Sequence, residues 1–115
     1  MKRFLAVYLG TPAQMATWNE LSPSVQAERQ DAGIKAWHSW VEKNKERIVD
    51  MGGPLGKTKS ISSAGIADTC NAMTGYTVVL ADSHENAAGL FKDHPHFTIF
   101  PGDSVEVMEC LPIPG

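Results

Sequence analysis

The chain reads as an α+β domain of the ferredoxin-like kind, on three features of its sequence. Two segments, Lys2–Leu9 and Tyr76–Ala81, are apolar on both alternating faces, as strands buried from two sides are. One long segment after Ser22 carries an apolar stripe at helical spacing. The elements follow in the order strand, helix, strand, strand, helix, strand, the split βαβ arrangement with an antiparallel sheet.

The first strand places Phe4, Ala6 and Tyr8 on one side and Leu5, Val7 and Leu9 on the other. Gly10-Thr11-Pro12 ends it, and Ala13–Leu21 forms a short helical stretch with Met15 and Trp18. Ser22 is a good helix cap with Pro23 in the first helical position. The helix is predicted over Pro23–Val49, with Ile34, Trp37, Val41 and Ile48 on one stripe widened by Trp40. Gly33 costs about 1 kcal/mol relative to Ala in a helix interior, so a kink or break is expected near Asp31–Gly33. The glycines at 52, 53 and 56 lead into an irregular or bulged second strand reaching Lys57–Ser62, and Ser63–Thr74 reads as a polar loop. The third strand, Tyr76–Ala81, carries Tyr76, Val78 and Leu80 on one face and Val79 and Ala81 on the other. Asp82-Ser83 caps a helix over Ser83–Asp93 that Pro95 stops, and Ser104–Leu111 is the last strand.

The 115 residues form a single domain, large enough for one modest core. Ten Lys and Arg against thirteen Asp and Glu give a net charge of −3, and the basic residues are scattered apart from Lys43–Arg47. No basic stripe is available to follow phosphates, so nucleic acid is not an expected partner. Lys2-Arg3 followed by Phe4–Leu9 superficially resembles a secretory leader, but the apolar run is too short and reads as a strand. No apolar run approaches the roughly 20 residues that cross a bilayer, so no membrane partner is expected. Cys70 and Cys110 are far apart without CxxC spacing, which favours a reduced, cytoplasmic chain.

Two main helices cover only one face of a four-stranded sheet, yet two strands are apolar on both faces. Each large side chain left exposed forgoes about 1.5–3 kcal/mol of burial, so a second copy packing sheet on sheet is expected. A homodimer follows from this alone, unless a loop such as Ser63–Thr74 folds over the sheet.

Gly56-Lys57-Thr58 has the tail of a phosphate loop, but Met51 stands where the pattern needs glycine and no helix start follows. Phe91-Lys92-Asp93-His94-Pro95-His96-Phe97 gathers two of the four histidines and a carboxylate around a proline. An HxH pair can ligate a metal, but imidazoles at a helix end more often bond backbone carbonyls, so neither metal nor cofactor is expected. Proton transfer is the better chemical reading, since an imidazole needs only a carboxylate to hold its tautomer. His38, beside the Trp37 and Trp40 stripe, with Asp93 and His94 are the candidate catalytic residues. Tyr8, Trp37, Tyr76 and His96 are the candidate walls of an apolar ligand pocket.

Trp37 to Trp40, Ile48-Val49-Asp50-Met51-Gly52-Gly53-Pro54-Leu55-Gly56, Gly75-Tyr76-Thr77-Val78-Val79, the Ser83–Ala88 helix start, His94-Pro95-His96 and Val105-Glu106-Val107 together resemble the YCII-related family, which includes the DGPF-domain proteins. The resemblance spans nearly the whole chain and rests on the order and spacing of these segments. It implies a dimeric α/β-barrel of ferredoxin-like subunits. It also implies an acid–base pair made by a histidine on the long helix and an aspartate directly before a proline. His38 matches the first; His94 directly precedes Pro95, with Asp93 one position earlier. The expected function is therefore a small-molecule pocket serving a cofactor-free lyase, isomerase or hydrolase through His–Asp chemistry. The alternative is a non-catalytic ligand-binding or accessory dimer with structural histidines.

Overall fold

The computed structural model describes residues 1–114. Strand β1 (Lys2–Leu9) lies in the middle of a four-stranded antiparallel sheet, between β5 (Met73–Ala81) and β6 (Ser104–Glu109). Strand β2 (Ile48–Pro54) pairs with the far side of β5, giving the order β2-β5-β1-β6 of a ferredoxin-like fold.

The two-residue alternation of β1 sends Phe4, Ala6 and Tyr8 towards the helices, where they are almost fully buried with Thr77, Val79 and Ala81 of β5. Helix α2 (Pro23–Asn44) lays Trp37 and Trp40 on this face. Helix α3 (His84–Gly89) adds Ala87, and Phe91 follows it into the core. Trp40 Nε1 donates to the Leu90 carbonyl at 2.7 Å and ties these two regions together. The opposite face carries half-buried Leu5, Val78 and Leu80 around a buried Val7, with exposed Met108 paired to Leu5, while α2 and α3 lie on the other side.

Local chemistry sets the ends of the elements. Ser22 Oγ accepts from the Val25 amide with Pro23 in the first turn of α2, and Thr11 caps the short helix α1 (Pro12–Asn19) in the same way. Helix α2 stops at Asn44, short of the predicted Val49, because Ile48 and Asp50 pair with β5. It also runs unbroken through Gly33. A Cβ there would lie 2.5 Å from Phe100 Cζ, so the glycine admits Phe100 against the helix.

The second sheet strand is bulged, as expected, but it occupies Ile48–Pro54 instead of reaching Lys57–Ser62. The segments predicted as strand end and polar loop instead form a separate hairpin, β3 (Thr58–Ser62) with β4 (Gly65–Thr69). The hairpin explains a radius of gyration of 16.1 Å, against about 13 Å for a compact chain of this length. Beyond α3, Asp93 takes a left-handed conformation at φ 57° and His94 returns to an extended one. Pro95 then opens a further short helix, α4 (Pro95–Thr98), which the sequence reading did not include. No helix among the described residues is long and apolar enough to cross a membrane.

Candidate functional site

A cavity of about 770 Å³ lies where α2 stands off the sheet above β2 and the start of β5. Tyr8, Trp37, Met51, Tyr76 and Phe100 contribute its apolar and aromatic wall, and His38, Glu42, Thr74 and His96 its polar groups. The size and the sparse polar groups are those of a small-molecule site.

The bulge in β2 shapes the floor. Gly52 has φ +65°, and a Cβ there would overlap the Tyr76 carbonyl oxygen, so only glycine lets β2 pass so close to β5. Asp50 Oδ1 accepts from the Gly52 amide at 2.8 Å and fixes the turn. The irregular register leaves the Met51 carbonyl free to accept from Thr77 Oγ1 at 3.0 Å. Because the Thr77 proton is used there, the Tyr8 hydroxyl donates to Thr77 Oγ1 at 2.7 Å. Burial pushes the Tyr8 phenol up to about 12, against the smaller opposing pull of the Thr77 bond. Tyr8 thus stays a neutral phenol whose oxygen retains accepting capacity at the cavity wall.

The two histidines around Pro95 do different work. His96 is 7% exposed and lines the cavity. Its Nε2 sits 2.7 Å from the Leu9 carbonyl, which places the proton on Nε2 and leaves Nδ1 with a free electron pair. Burial lowers its pKa, partly offset by the carbonyls of Leu9 and Ser104 and by Asp103, so the ring is neutral. Gly102 makes room for it, since a Cβ there would overlap the imidazole.

His94 is fully buried and does not line the cavity. Its Nδ1 accepts from the His96 amide at 3.0 Å, capping α4, which assigns the proton to Nε2. That Nε2 has no hydrogen-bond partner among the described residues. The ring is packed among Trp37, Trp40, Tyr8 and Phe91, with centroids 4.5 Å, 4.7 Å, 5.3 Å and 5.7 Å away. Burial, with a lesser contribution from repulsion by His96, lowers its pKa to about 4. His94 therefore holds the aromatic core and the helix cap in place.

Of the residues singled out from sequence, Tyr8, Trp37, His38, Tyr76 and His96 come together around one cavity. Asp93 does not: it is exposed at the left-handed turn, where its backbone carbonyl lies 3.5 Å from Thr98 Oγ1. No hydrogen bond joins His38 to Asp93 or His94 among the described residues. Glu42 was overlooked, although its spacing of four from His38 on one helix puts both at the same rim. Phe100 was also missed; the bulge in β2 was expected from the glycine run at 52 and 53, but its place at Met51–Pro54 in the cavity wall was not. Among the described residues no group of three His, Cys, Asp or Glu side chains is placed to hold a metal ion. Cys70 and Cys110 are both exposed and unpaired.

A bulged antiparallel sheet with helices on one face and a cavity between the two defines a ferredoxin-like α+β protein. No family model matches the chain, and no curated protein matches it at a significant level. Among solved structures, the fold is similar to that of 5-chloro-2-hydroxyhydroquinone dehydrochlorinase (TftG) from Burkholderia phenoliruptrix, determined in complex with 2,5-dihydroxybenzoquinone. The TM-score is 0.53 at 17% sequence identity, over 92% of this chain and 90% of that one.

Proposed function

We propose that this chain is a small-molecule protein of the YCII-related kind, working as a homodimer with one apolar cavity per subunit and no cofactor. The cavity carries the proposal: its aromatic wall and few polar groups suit a planar, hydroxylated ring, and Tyr8, His38 and His96 surround it. The dehydrochlorinase of similar fold binds a dihydroxybenzoquinone, which supports the same ligand class. His38 serves as the proton-transfer group at the rim, with Glu42 one helical turn away to orient it. Tyr8 and His96 position the ring through the phenol oxygen and Nδ1. The reaction class is a lyase or isomerase step that moves a proton from a ring carbon or hydroxyl, and the compartment is the cytoplasm. Asp93 and His94 serve the loop and the core in this reading.

A second reading, a non-catalytic ligand carrier, is favoured by the bonds His94 and His96 already make to backbone groups. One experiment separates the two. Hydroxylated benzoquinones and a chlorinated hydroxyhydroquinone are added to the wild type and to His38→Gln, with intrinsic tryptophan fluorescence reporting binding and ion chromatography reporting chloride. Saturable quenching with chloride release that His38→Gln abolishes supports the enzyme. Quenching without turnover supports the carrier, and absence of both refutes the site.

A further inference from the structure

The β3–β4 hairpin packs on no other element to any extent, although Leu55 N donates to the Thr74 carbonyl at 2.9 Å and fastens its base. Register puts Ile61 opposite Ile66 and Lys59 opposite Asp68 on one face, with the small polar residues Thr58, Ser60, Ser62 and Thr69 on the other. The ion pair Lys59–Asp68 closes that face beside the isoleucines. Ile61 and Ile66 are nonetheless 73% and 74% exposed. A two-stranded hairpin is at best marginally stable in water, so an isoleucine pair at its tip calls for a surface to meet.

The chain offers none of its own. Its thinnest dimension is 18 Å, the depth of one helix layer on one sheet, so the hairpin stays in the plane of that slab. It folds neither over the cavity nor over the sheet face that carries half-buried Leu5, Val78 and Leu80 and exposed Met108. Four strands about 4.8 Å apart and about eight residues long give that face a footprint on the order of 500 Å². That is short of the ~800 Å² per partner of a standard interface. One face of the hairpin adds on the order of 150 Å², and its protruding edges bring the total near what a stable complex needs. The sheet face also carries Arg3 at one end and Glu106 beside Val7, so it meets its own copy with opposite charges under a two-fold axis.

We propose that the β3–β4 hairpin is an arm that docks the Ile61–Ile66 pair on a second copy of this chain, completing the two-fold interface begun by the uncovered sheet face. This rests on the homodimer of the preceding section. The arm springs from Pro54 and Thr74, both in the cavity wall, so its seating on the twin also fixes the cavity mouth.

The test is sedimentation equilibrium of the full chain and of Ile61→Thr/Ile66→Thr, which keeps β-branched residues at two exposed positions that face only each other across the hairpin. Met108→Lys, on the uncovered sheet face, serves as the second variant, and near-UV circular dichroism confirms folding of all three. The expected result is a wild-type dimer whose dissociation constant rises at least 30-fold in each variant. A dimer weakened by Met108→Lys and unchanged by the isoleucine pair would overturn the arm while leaving the homodimer intact. A wild type that sediments as a monomer at about 100 μM, a concentration at which a stable specific dimer is fully associated, would overturn both.

Discussion

Replacing His94 with asparagine should make the stability of this protein less dependent on pH. In the wild type the buried imidazole is neutral, with its pKa lowered from 6.5 to about 4. A group whose folded pKa is depressed gives its full stabilisation above the unfolded value, here 6.5, and loses it as pH falls through the folded one. At about 1.4 kcal/mol per tenfold change in proton affinity, the full loss is about 3 kcal/mol, of which about 2 kcal/mol has gone by pH 5. Asparagine keeps an acceptor for the His96 amide at the α4 cap but carries no titrating group. The smaller side chain leaves space among Trp37, Trp40, Tyr8 and Phe91, so the variant should be about 3 kcal/mol less stable at pH 7.5. Urea unfolding of both proteins at pH 7.5, 6 and 5, at one protein concentration and ionic strength, measures the gap between them. It should narrow to about 1 kcal/mol at pH 5. His96, also lowered, contributes in the same direction to both proteins and cancels in the difference. A gap constant to within about 0.5 kcal/mol across this range would refute the claim that His94 is buried and neutral.

Other substitutions follow from the same geometry. Tyr8→Phe removes the donor to Thr77 but leaves Thr77 bonded to Met51, so thermal unfolding should show a loss of about 1 kcal/mol. Gly52→Ala meets both the left-handed backbone and the Tyr76 carbonyl, and denaturant unfolding should show a loss of at least about 2 kcal/mol; a neutral result would mean β2 does not pass where described. Gly33→Ala should push Phe100 off α2 and weaken binding of a hydroxylated aromatic several-fold by titration calorimetry, with a smaller effect on folding. His38→Gln, at an exposed rim position, should change stability by less than about 0.5 kcal/mol. The same change should lower any turnover by about 10²-fold or more, read in a stopped assay.

The main sheet and its helix layer were legible because burial writes itself into alternation. Phe4, Ala6 and Tyr8 against Leu5, Val7 and Leu9, and the matching pattern of β5, announce strands with two apolar sides. The Ser22-Pro23 start of α2 was legible because capping is local chemistry. The hairpin was not, since Thr58–Thr69 is almost wholly exposed and so carries no apolar alternation beyond Ile61 and Ile66. The end of α2 was misplaced because Ile48 continues the helical stripe while its backbone pairs with Val79. In the site, the aromatic wall and His38 could be named from the stripe of α2. The placement of Asp93 and His94 depends on one left-handed residue and a four-residue helix, which local sequence does not encode.

Whether the space between α2 and the sheet holds a small hydroxylated aromatic ligand is decided by a crystal structure of the protein soaked with dihydroxybenzoquinone. The ring is predicted to lie between Trp37 and Tyr8, with an oxygen in hydrogen-bond reach of the Tyr8 phenol or His96 Nδ1 and the other end towards His38. A ring bound only elsewhere, with this cavity holding ordinary solvent at saturating ligand, would contradict it.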